Sequence, residues 1–135
     1  MLERSTINGK AFVVEERMDR RVTWAIHEME RRMAEPLRIS DLAVGVNLSV
    51  SRFTLIFRAS TGRSPAQHLR QLRLERARVL LETTFLSVKE VRALVGMNDA
   101  SHFTRDFARA YGASPRMWRE RVPRPPPAST SALVC

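Results

Sequence analysis

The sequence predicts an all-α protein in which a long linker helix joins two helix-turn-helix subdomains, here called lobe one and lobe two. Two observations carry this prediction: an internal repeat, and an uninterrupted helical pattern between its two copies. Seven residues of the first copy recur fifty positions later: Ser51, Phe53, Thr54, Phe57, Gly62, Ser64 and Pro65 recur as Ser101, Phe103, Thr104, Phe107, Gly112, Ser114 and Pro115. Because only two copies are present, two lobes are a better interpretation than a solenoid.

The first predicted element is a helix over residues 17–34. Its apolar residues recur at helical spacing, and they are Val22, Ala25, Ile26, Met29 and Met33. Pro36 ends the pattern, because the residue before a proline is disfavoured in a helix. We expect this helix to close lobe one as a lid.

The first copy of the repeat has the pattern of a short helix, a tight turn and a second helix. Ser40 is expected to cap a helix that runs to about Val46, and Ser49 to cap the next one, over residues 49–60. Asn47 lies between them, where a left-handed residue is required. This order of elements is the helix-turn-helix layout.

The linker helix is predicted over residues 64–82, where Ser64 caps it and Pro65 takes its first position. We expect its buried stripe to consist of Leu69, Leu72, Ala77, Leu80 and Leu81, flanked by Arg70, Arg73, Arg76 and Arg78. A helix of this length spans about 27 Å, close to the ~34 Å between successive major-groove faces of B-DNA. One rigid helix of this length is expected to hold two DNA-reading elements about one turn of DNA apart.

The second copy repeats the layout of the first with one additional residue in its turn. Ser87 and Glu90 have the spacing of a capping box, and Gly96 takes the left-handed position of the turn. Either Asn98 or Asp99 is expected to cap the second helix.

Two phenylalanines stand four residues apart in the second helix of each copy, Phe53 with Phe57 and Phe103 with Phe107. This spacing is typical of packing rather than of stacking on bases, so we interpret them as core residues. A closing helix is expected to begin at Ser114-Pro115, with Met117 and Trp118 facing into lobe two.

The composition indicates a globular chain with an anionic partner. The 135 residues are 44% hydrophobic and 27% charged, and the net charge is +9. Of the 23 basic residues only Lys10 and Lys89 are lysine; the arginine excess is explained equally well by contacts to phosphate and guanine or by GC-rich coding. Residues 37–121 hold 15 bases and 7 acids, so the positive charge is concentrated where the repeat lies.

Several function classes are excluded by what the sequence does not contain. It has no apolar run of the ~18 residues that a membrane span needs, and no secretory signal. His27-Glu28 begins like a zinc-binding H-E-x-x-H motif, but Arg31 stands where the second histidine is needed. The single cysteine, Cys135, has no partner for a disulfide. We therefore expect a cytoplasmic, nucleoid-associated protein that is not an enzyme and binds no cofactor or metal.

The chain divides into three parts. Residues 1–16 are assigned no fold, and residues 17–122 form the predicted domain: lobe one over 17–63, the linker helix over 64–82 and lobe two over 83–122. Residues 123–135 are proline-rich and then polar, so we predict a disordered tail.

Three stretches of the sequence resemble the AraC/XylS family of transcriptional regulators. RLERARVLL (Arg73–Leu81) and GMNDASHFTRDFARAYGASPRMWR (Gly96–Arg119) are similar to the family's C-terminal signature, and DLAVGVNLSVSRFTLIFRASTGRSP (Asp41–Pro65) matches in a similar register. The similarity covers residues 18–121. It implies two homeodomain-like helix-turn-helix lobes that bind double-stranded DNA at two adjacent major-groove segments.

The sequence departs from the family pattern in lobe two. The family usually has a small alanine where the two helices of a lobe cross; Ala43 keeps it, but lobe two has Arg92, and Met97 replaces the phenylalanine of the family's Gly-Phe pair. Since an arginine stem can extend to solvent and methionine fills irregular gaps, we expect lobe two to fold with looser packing. Only 16 residues precede the first predicted helix, so no small-molecule effector domain is expected. The chain is expected to be either a stand-alone member of the family or a severed DNA-binding half. We expect it to be a monomer.

The resemblance also implies which residues contact DNA. The base-contacting positions are Ser51, Thr54 and Leu55 in lobe one and Ser101, His102, Thr104 and Arg105 in lobe two. Arg105 is expected to bind guanine, with a phosphate contact or an ion pair to Asp106 or Asp99 as the alternative. Leu55 is interpreted equally as a thymine-methyl contact or as a tolerated exposed leucine. The expected phosphate contacts are Arg52, Arg58, Arg63, Arg109 and Arg116, each with a solvated basic face as the alternative.

Two other interpretations are retained. A truncated regulator with a defective lobe two would act as a protein-interaction module, with weak or nonspecific DNA binding, and RNA polymerase is a candidate partner. Nonspecific packaging of nucleic acid is favoured by the charge but disfavoured by two different exposed helix faces.

Overall fold

The computed structural model describes residues 18–122, and the predicted disordered tail, the segment 1–16 and Cys135 lie outside them. The described chain contains seven α-helices and no strand: α1 Arg20–Arg31, α2 Ile39–Gly45, α3 Val50–Thr61, α4 Pro65–Thr83, α5 Val88–Leu94, α6 Ala100–Tyr111 and α7 Pro115–Arg121. The all-α prediction is confirmed. Two compact units are present: unit one comprises residues 18–32 and Leu37–His68, and unit two comprises Met33–Pro36 and residues 69–122.

The core of unit one is formed by α1, α2 and α3. Its buried apolar residues are Val22, Ala25, Met29, Leu37, Leu42, Ala43, Phe53 and Phe57. The rings of Phe53 and Phe57 lie 5.7 Å apart, and Phe57 contacts His68 edge-on at 5.3 Å. The indole ring of Trp24 in α1 lies directly over Gly45 of α2, and a Cβ at Gly45 would be only 2.4 Å from it. Only glycine leaves room for the ring in this position. The packing of α1 on this unit follows the helical spacing of its apolar residues.

The core of unit two is centred on Phe103 and Phe107, which are fully buried. The other buried members of this core are Leu74, Ala77, Leu81, Val91 and Val95. Tyr111 and Trp118 extend the aromatic packing, with ring centroids 4.8 Å and 6.1 Å from that of Phe107. The four predicted phenylalanines are thus all core residues.

The closing helix α7 is held on unit two by polar contacts as well as by packing. The indole N–H of Trp118 donates to Glu82 Oε2 at 3.0 Å, and the same carboxylate pairs with Arg78 at 3.0 Å. The guanidinium of Arg119 donates to the carbonyls of Leu81, Thr84 and Leu86, which lie at and just beyond the end of α4. The bond to Leu81 O pairs a carbonyl in the last turn of α4, and the other two pair carbonyls of the segment that follows it.

The first helix is shorter than predicted, and Met33 belongs to unit two rather than to the lid of lobe one. Asp19 caps α1 by accepting from Arg21 N–H at 2.8 Å, and the helix ends at Arg31. Beyond it, Arg73 donates to the carbonyls of Met33 and Glu35 at 3.2 Å and 3.0 Å. Because those carbonyls bind a side chain, the segment after α1 leaves the helix before Pro36.

The predicted cap at Ser40 is wrong. The N-cap of α2 is Arg38, two residues earlier, and the helix begins at Ile39; the Asp41 carboxylate accepts from the backbone N–H of Arg38 at 3.3 Å. Ser40 therefore lies within the first turn. The caps predicted at Ser49, Ser64, Ser87 and Ser114 are confirmed, and Asp99 rather than Asn98 caps α6.

Two details of the predicted core also differ. In α4, Leu74 is buried although the predicted stripe omitted it, while Leu72 and Leu80 are half-buried. In α7, Met117 is 49% exposed rather than inward, and Pro115 is buried in its place. Met117 lies on nearly the opposite side of the helix from Pro115, so the two cannot face one core.

Candidate nucleic-acid interface

The second helix of the first helix-turn-helix, α3, has one buried and one exposed face. The Ser49 hydroxyl caps it by accepting from Arg52 N–H at 3.1 Å, and Gly62 ends it with a left-handed φ of 81°. Phe53 and Phe57 fix its inner face. Because they lie one turn apart, the opposite face is exposed, and it carries Ser51, Arg52, Leu55 and Arg58. Thr54 lies half-buried at the edge of this face.

The second helix of the second helix-turn-helix, α6, has the same design. Asp99 caps it by accepting from His102 N–H at 2.9 Å, and Gly112 ends it at a φ of 84°. Phe103 and Phe107 define the inner face. The predicted contact residues all lie on exposed positions of this helix: Ser101, His102, Thr104, Arg105 and Arg109.

The turn between α2 and α3 sets the angle at which α3 is presented. The two helices meet at 90°, which is the geometry of a helix-turn-helix. Asn47 occupies the predicted left-handed position with a φ of 65°, and Leu48 N–H bonds to Ala43 O at 2.9 Å. Asparagine tolerates this conformation better than other residues with a Cβ.

The turn between α5 and α6 is one residue longer, as the repeat predicted. Gly96 takes its left-handed position at a φ of 74°. A Cβ at this glycine would stand 2.3 Å from the carbonyl oxygen of Met33, so no side chain fits there. Arg92 reaches around the turn and donates to Asn98 O at 2.8 Å. Arg92 therefore holds the turn, and Val91, next to it, is fully buried; looser packing of lobe two stays a prediction.

The cations of α3 and α6 differ in their ion pairs. Within residues 18–122, no carboxylate lies within ion-pair distance of Arg52, Arg58 or Arg105. The alternative that Arg105 pairs with Asp99 or Asp106 is therefore wrong for this structure, since Asp99 contacts His102 and Asp106 pairs with Arg109 at 3.6 Å. An arginine without a carboxylate partner keeps its donors available for phosphate or a base edge.

The remaining predicted phosphate contacts lie outside α3 and α6. Arg63 follows Gly62 at the end of α3, and Arg116 lies on the first turn of α7; both are exposed. Sequence reasoning missed one feature of the site, the contact between the Asp99 carboxylate and the His102 ring at 3.1 Å. Its only signal in the sequence is the spacing of the two residues, three apart at a helix start.

Residues 18–122 were also compared with two other kinds of site, one for a metal ion and one that spans a membrane. No group of three or more His, Cys, Asp or Glu side chains in residues 18–122 is arranged to hold a metal ion. In the same part of the chain no single helix is long and apolar enough to cross a membrane; α2 and α3 reach that length and composition only together, across their 90° bend.

Comparison with known proteins identifies the family. A family profile for a helix-turn-helix domain matches residues 42–121. The chain is also similar to the structure of an AraC family transcriptional regulator from Rhodopseudomonas palustris, with 26% identity, a TM-score of 0.70, and coverage of 79% of this chain and 100% of that one. The chain belongs to the AraC/XylS family. The resemblance and the fold predicted from the sequence are both confirmed.

Two other AraC-type relatives bear on what the domain does. The DNA-binding domain of AdpA, a global transcriptional factor, was solved in complex with a target DNA; it is 29% identical, has a TM-score of 0.71, and the match covers 76% of this chain and 93% of that one. The Msm operon regulatory protein of Streptococcus mutans is 34% identical over 121 residues, which are 90% of this chain. This chain spans only 40% of the length of that regulator.

Proposed function

We propose that the chain binds double-stranded DNA sequence-specifically and regulates transcription, with α3 and α6 in two adjacent major-groove segments. One observation carries the proposal. Each of these helices buries two phenylalanines on one side and exposes hydroxyl, imidazole and guanidinium groups on the other. Such groups are the ones that hydrogen-bond base edges and phosphates. The similarity to the DNA-bound domain of AdpA supports this role for the exposed faces.

The proposed base contacts are the exposed or half-exposed positions of the two helices: Ser51, Thr54, Leu55, Ser101, His102, Thr104 and Arg105. Arg105 lies directly opposite the buried Phe103 and Phe107, and no carboxylate in the described chain competes for its guanidinium. It is therefore the proposed reader of guanine, through O6 and N7. Leu55 is 62% exposed in the equivalent place on α3, where a thymine methyl is its matching partner.

The proposed phosphate contacts are Arg52, Arg58, Arg63, Arg109 and Arg116, all of which are exposed. Such contacts position a protein on the duplex without reading its sequence. The described parts of units one and two each carry a net charge of +4, from eight bases and four acids in unit one and eleven bases and seven acids in unit two. Both units are therefore expected to be attracted to the DNA backbone.

We further propose that the protein acts as a monomer, in the cytoplasm and at the nucleoid, where RNA polymerase is a second candidate partner. The alternative, a protein-interaction module that does not read DNA, depended on a defective lobe two. Two observations disfavour this alternative: Arg92 binds the turn, and Phe103 and Phe107 are fully buried in the core of unit two. Because the chain spans only 40% of the length of the Msm regulator, the regulation of transcription is proposed for this chain and is not carried over from that protein.

In-vitro selection from a random duplex library at near-physiological salt tests the proposal. The expected result is an asymmetric motif of two blocks about 10 base pairs apart, bound at least 10³-fold tighter than scrambled DNA. Enrichment of a single block would contradict reading by both helices. No enrichment, together with a steep loss of binding as salt rises, would contradict sequence-specific binding altogether.

A further inference from the structure

At the start of α6 the two carboxylate oxygens of Asp99 bind the same residue. Oδ1 accepts the backbone N–H of His102 at 2.9 Å, which caps the helix, while Oδ2 lies 3.1 Å from Nδ1 of the His102 ring. The side chain of Asp99 is 60% exposed and that of His102 is 67% exposed. The pair therefore lies on the face of α6 that would contact DNA under the proposed function. The nearest carboxylate along the helix, Asp106, pairs with Arg109 instead.

The contact determines which ring nitrogen carries the hydrogen. Hydrogen bonds from the backbone N–H and the ring of His102 hold the pKa of Asp99 below its ordinary value, so the carboxylate is ionised at neutral pH. An ionised carboxylate only accepts, so Nδ1 must donate to it. In a neutral imidazole the other nitrogen, Nε2, is then an acceptor. That nitrogen is the ring atom left available to a ligand.

We propose that Asp99 is a positioning residue that fixes the His102 ring with Nε2 as an acceptor, so that α6 reads a base bearing an exocyclic amine. In the major groove such a donor is N4 of cytosine or N6 of adenine. The inference rests on the proposed function, because it requires α6 to lie in the major groove. Helix α3 has no equivalent device: Ser49 caps it with a hydroxyl, and Arg52 stands at the position of His102.

Two substitutions separate the capping role of Asp99 from its role toward the ring. Asp99→Ser keeps a good helix cap, as Ser49 does for α3, but removes Oδ2. Asp99→Asn keeps an oxygen for the cap and offers an amide N–H₂ to Nδ1, which would leave the hydrogen of a neutral ring on Nε2. His102→Ala identifies the base pair that the ring reads. Asp106→Asn is the matched control, because it removes a carboxylate from the same helix without touching His102.

The readout is base preference at each position of the selected site, with thermal melting to verify folding. In Asp99→Ser we expect a loss of about fivefold at the base pair identified by His102→Ala, and at no other. Affinity for random DNA should rise or stay constant, because a negative charge has been removed. In Asp99→Asn the preference should move toward guanine, whose N7 and O6 accept. Asp106→Asn should leave every base preference unchanged.

Several results would overturn the inference. Unchanged base preference in both Asp99 variants would show that the carboxylate does not act through the ring, and so would an unchanged preference in His102→Ala. A uniform loss at all base pairs together with a lower Tm would assign Asp99 a structural role only. A wild-type selection that yields no motif would instead overturn the proposed function, and this inference with it.

Discussion

Helices α3 and α6 share one frame, which consists of a side-chain cap, two buried phenylalanines and a terminal glycine, but they carry different residues on their exposed sides. Each is twelve residues long, begins at a side-chain cap, buries two phenylalanines four residues apart and ends at a left-handed glycine. On the exposed side, Leu55 of α3 occupies the register of Arg105 in α6. The repeated frame thus fixes which positions face outward, while the residues at those positions diverge. The duplicated fold therefore presents two exposed helix faces of different chemistry.

The two helices also differ in how their charges are paired. The cations of α3 have no carboxylate partner among the described residues, whereas α6 carries Asp106 against Arg109 and Asp99 against His102. Arg52 and Arg58 of α3 are proposed phosphate contacts, which act at any sequence, whereas α6 presents Arg105 and the oriented His102 ring as proposed base contacts. We therefore expect α3 to contribute more to general affinity and α6 more to sequence preference.

Core truncation tests whether the two frames are equally stable. Phe107→Ala and Phe57→Ala should each lower the free energy of unfolding by about 3 to 5 kcal/mol, with Phe107 at the upper end, because it contacts the rings of Phe103, Tyr111 and Trp118. Urea unfolding monitored by circular dichroism measures both. Leu55→Ala, on the exposed side, is the control. A larger loss for Phe57→Ala would reverse this ranking.

The two turns are expected to differ in their tolerance of a Cβ. Gly96→Ala should cost about 2 to 4 kcal/mol, since a left-handed alanine is strained and its Cβ would collide with the Met33 carbonyl. Asn47→Ala meets only the conformational penalty, about 1 kcal/mol. Chemical denaturation measures the free energy of unfolding of both variants. Equal decreases in this free energy would show that the backbone near Met33 moves at little cost to accommodate the alanine.

Base readout by the two helices can be compared at the equivalent positions Arg105 and Leu55. Arg105→Ala should cost about 1 to 3 kcal/mol on the selected site and relax preference at one base pair. Leu55→Ala should cost less, about 0.8 kcal/mol for a lost methyl contact. Arg58→Ala is the control: it should weaken selected and random DNA by the same factor and reduce the salt slope by about 1. Equal loss on both DNAs for Arg105→Ala would exclude it as a reader.

The caps of α3 and α6 predict the smallest difference between these two helices: only the cap of α6 is a carboxylate that responds to acid. The pKa of Asp99 is lowered by its bonds from His102, so its stabilising effect is present above the ordinary value of 3.8 and is lost as pH falls through the lowered one. The Ser49 hydroxyl that caps α3 does not titrate in this range. Acidification should therefore lower the Tm of the wild type more than that of Asp99→Ser. Parallel Tm curves would show that the cap does not respond to pH.

Much of the fold follows from the sequence because it depends on spacing. Phe53, Phe57, Phe103 and Phe107 are core residues at helical intervals, and Asn47 and Gly96 are residue types suited to left-handed turns. These signals are local, so they do not require knowledge of the tertiary structure. Spacing also gives the exposed faces of α3 and α6, opposite their phenylalanines, and the family resemblance added which of these positions contact bases; those contacts with DNA stay predictions.

The errors arose where a side-chain contact that the spacing does not reveal, distant or local, overrides the expected pattern. Met33 continues the apolar period of α1, yet Arg73, forty residues later, binds its carbonyl and draws the segment into unit two. Ser40 is a good capping residue, but Asp41 stabilises a competing helix start two residues earlier by accepting from the backbone N–H of Arg38. The contact between Asp99 and His102 depends on side-chain rotamers that no pattern specifies. Each of these features depends on the three-dimensional arrangement of side chains.

The placement of the two tryptophans gives each unit its own optical reporter. Trp24, 39% exposed over Gly45, belongs to unit one, and Trp118, whose N–H binds Glu82, belongs to unit two. These are the only tryptophans in the chain. Single Trp→Phe variants would therefore assign an emission signal to one unit at a time. Fluorescence could then follow the unfolding of each half separately, without any attached label.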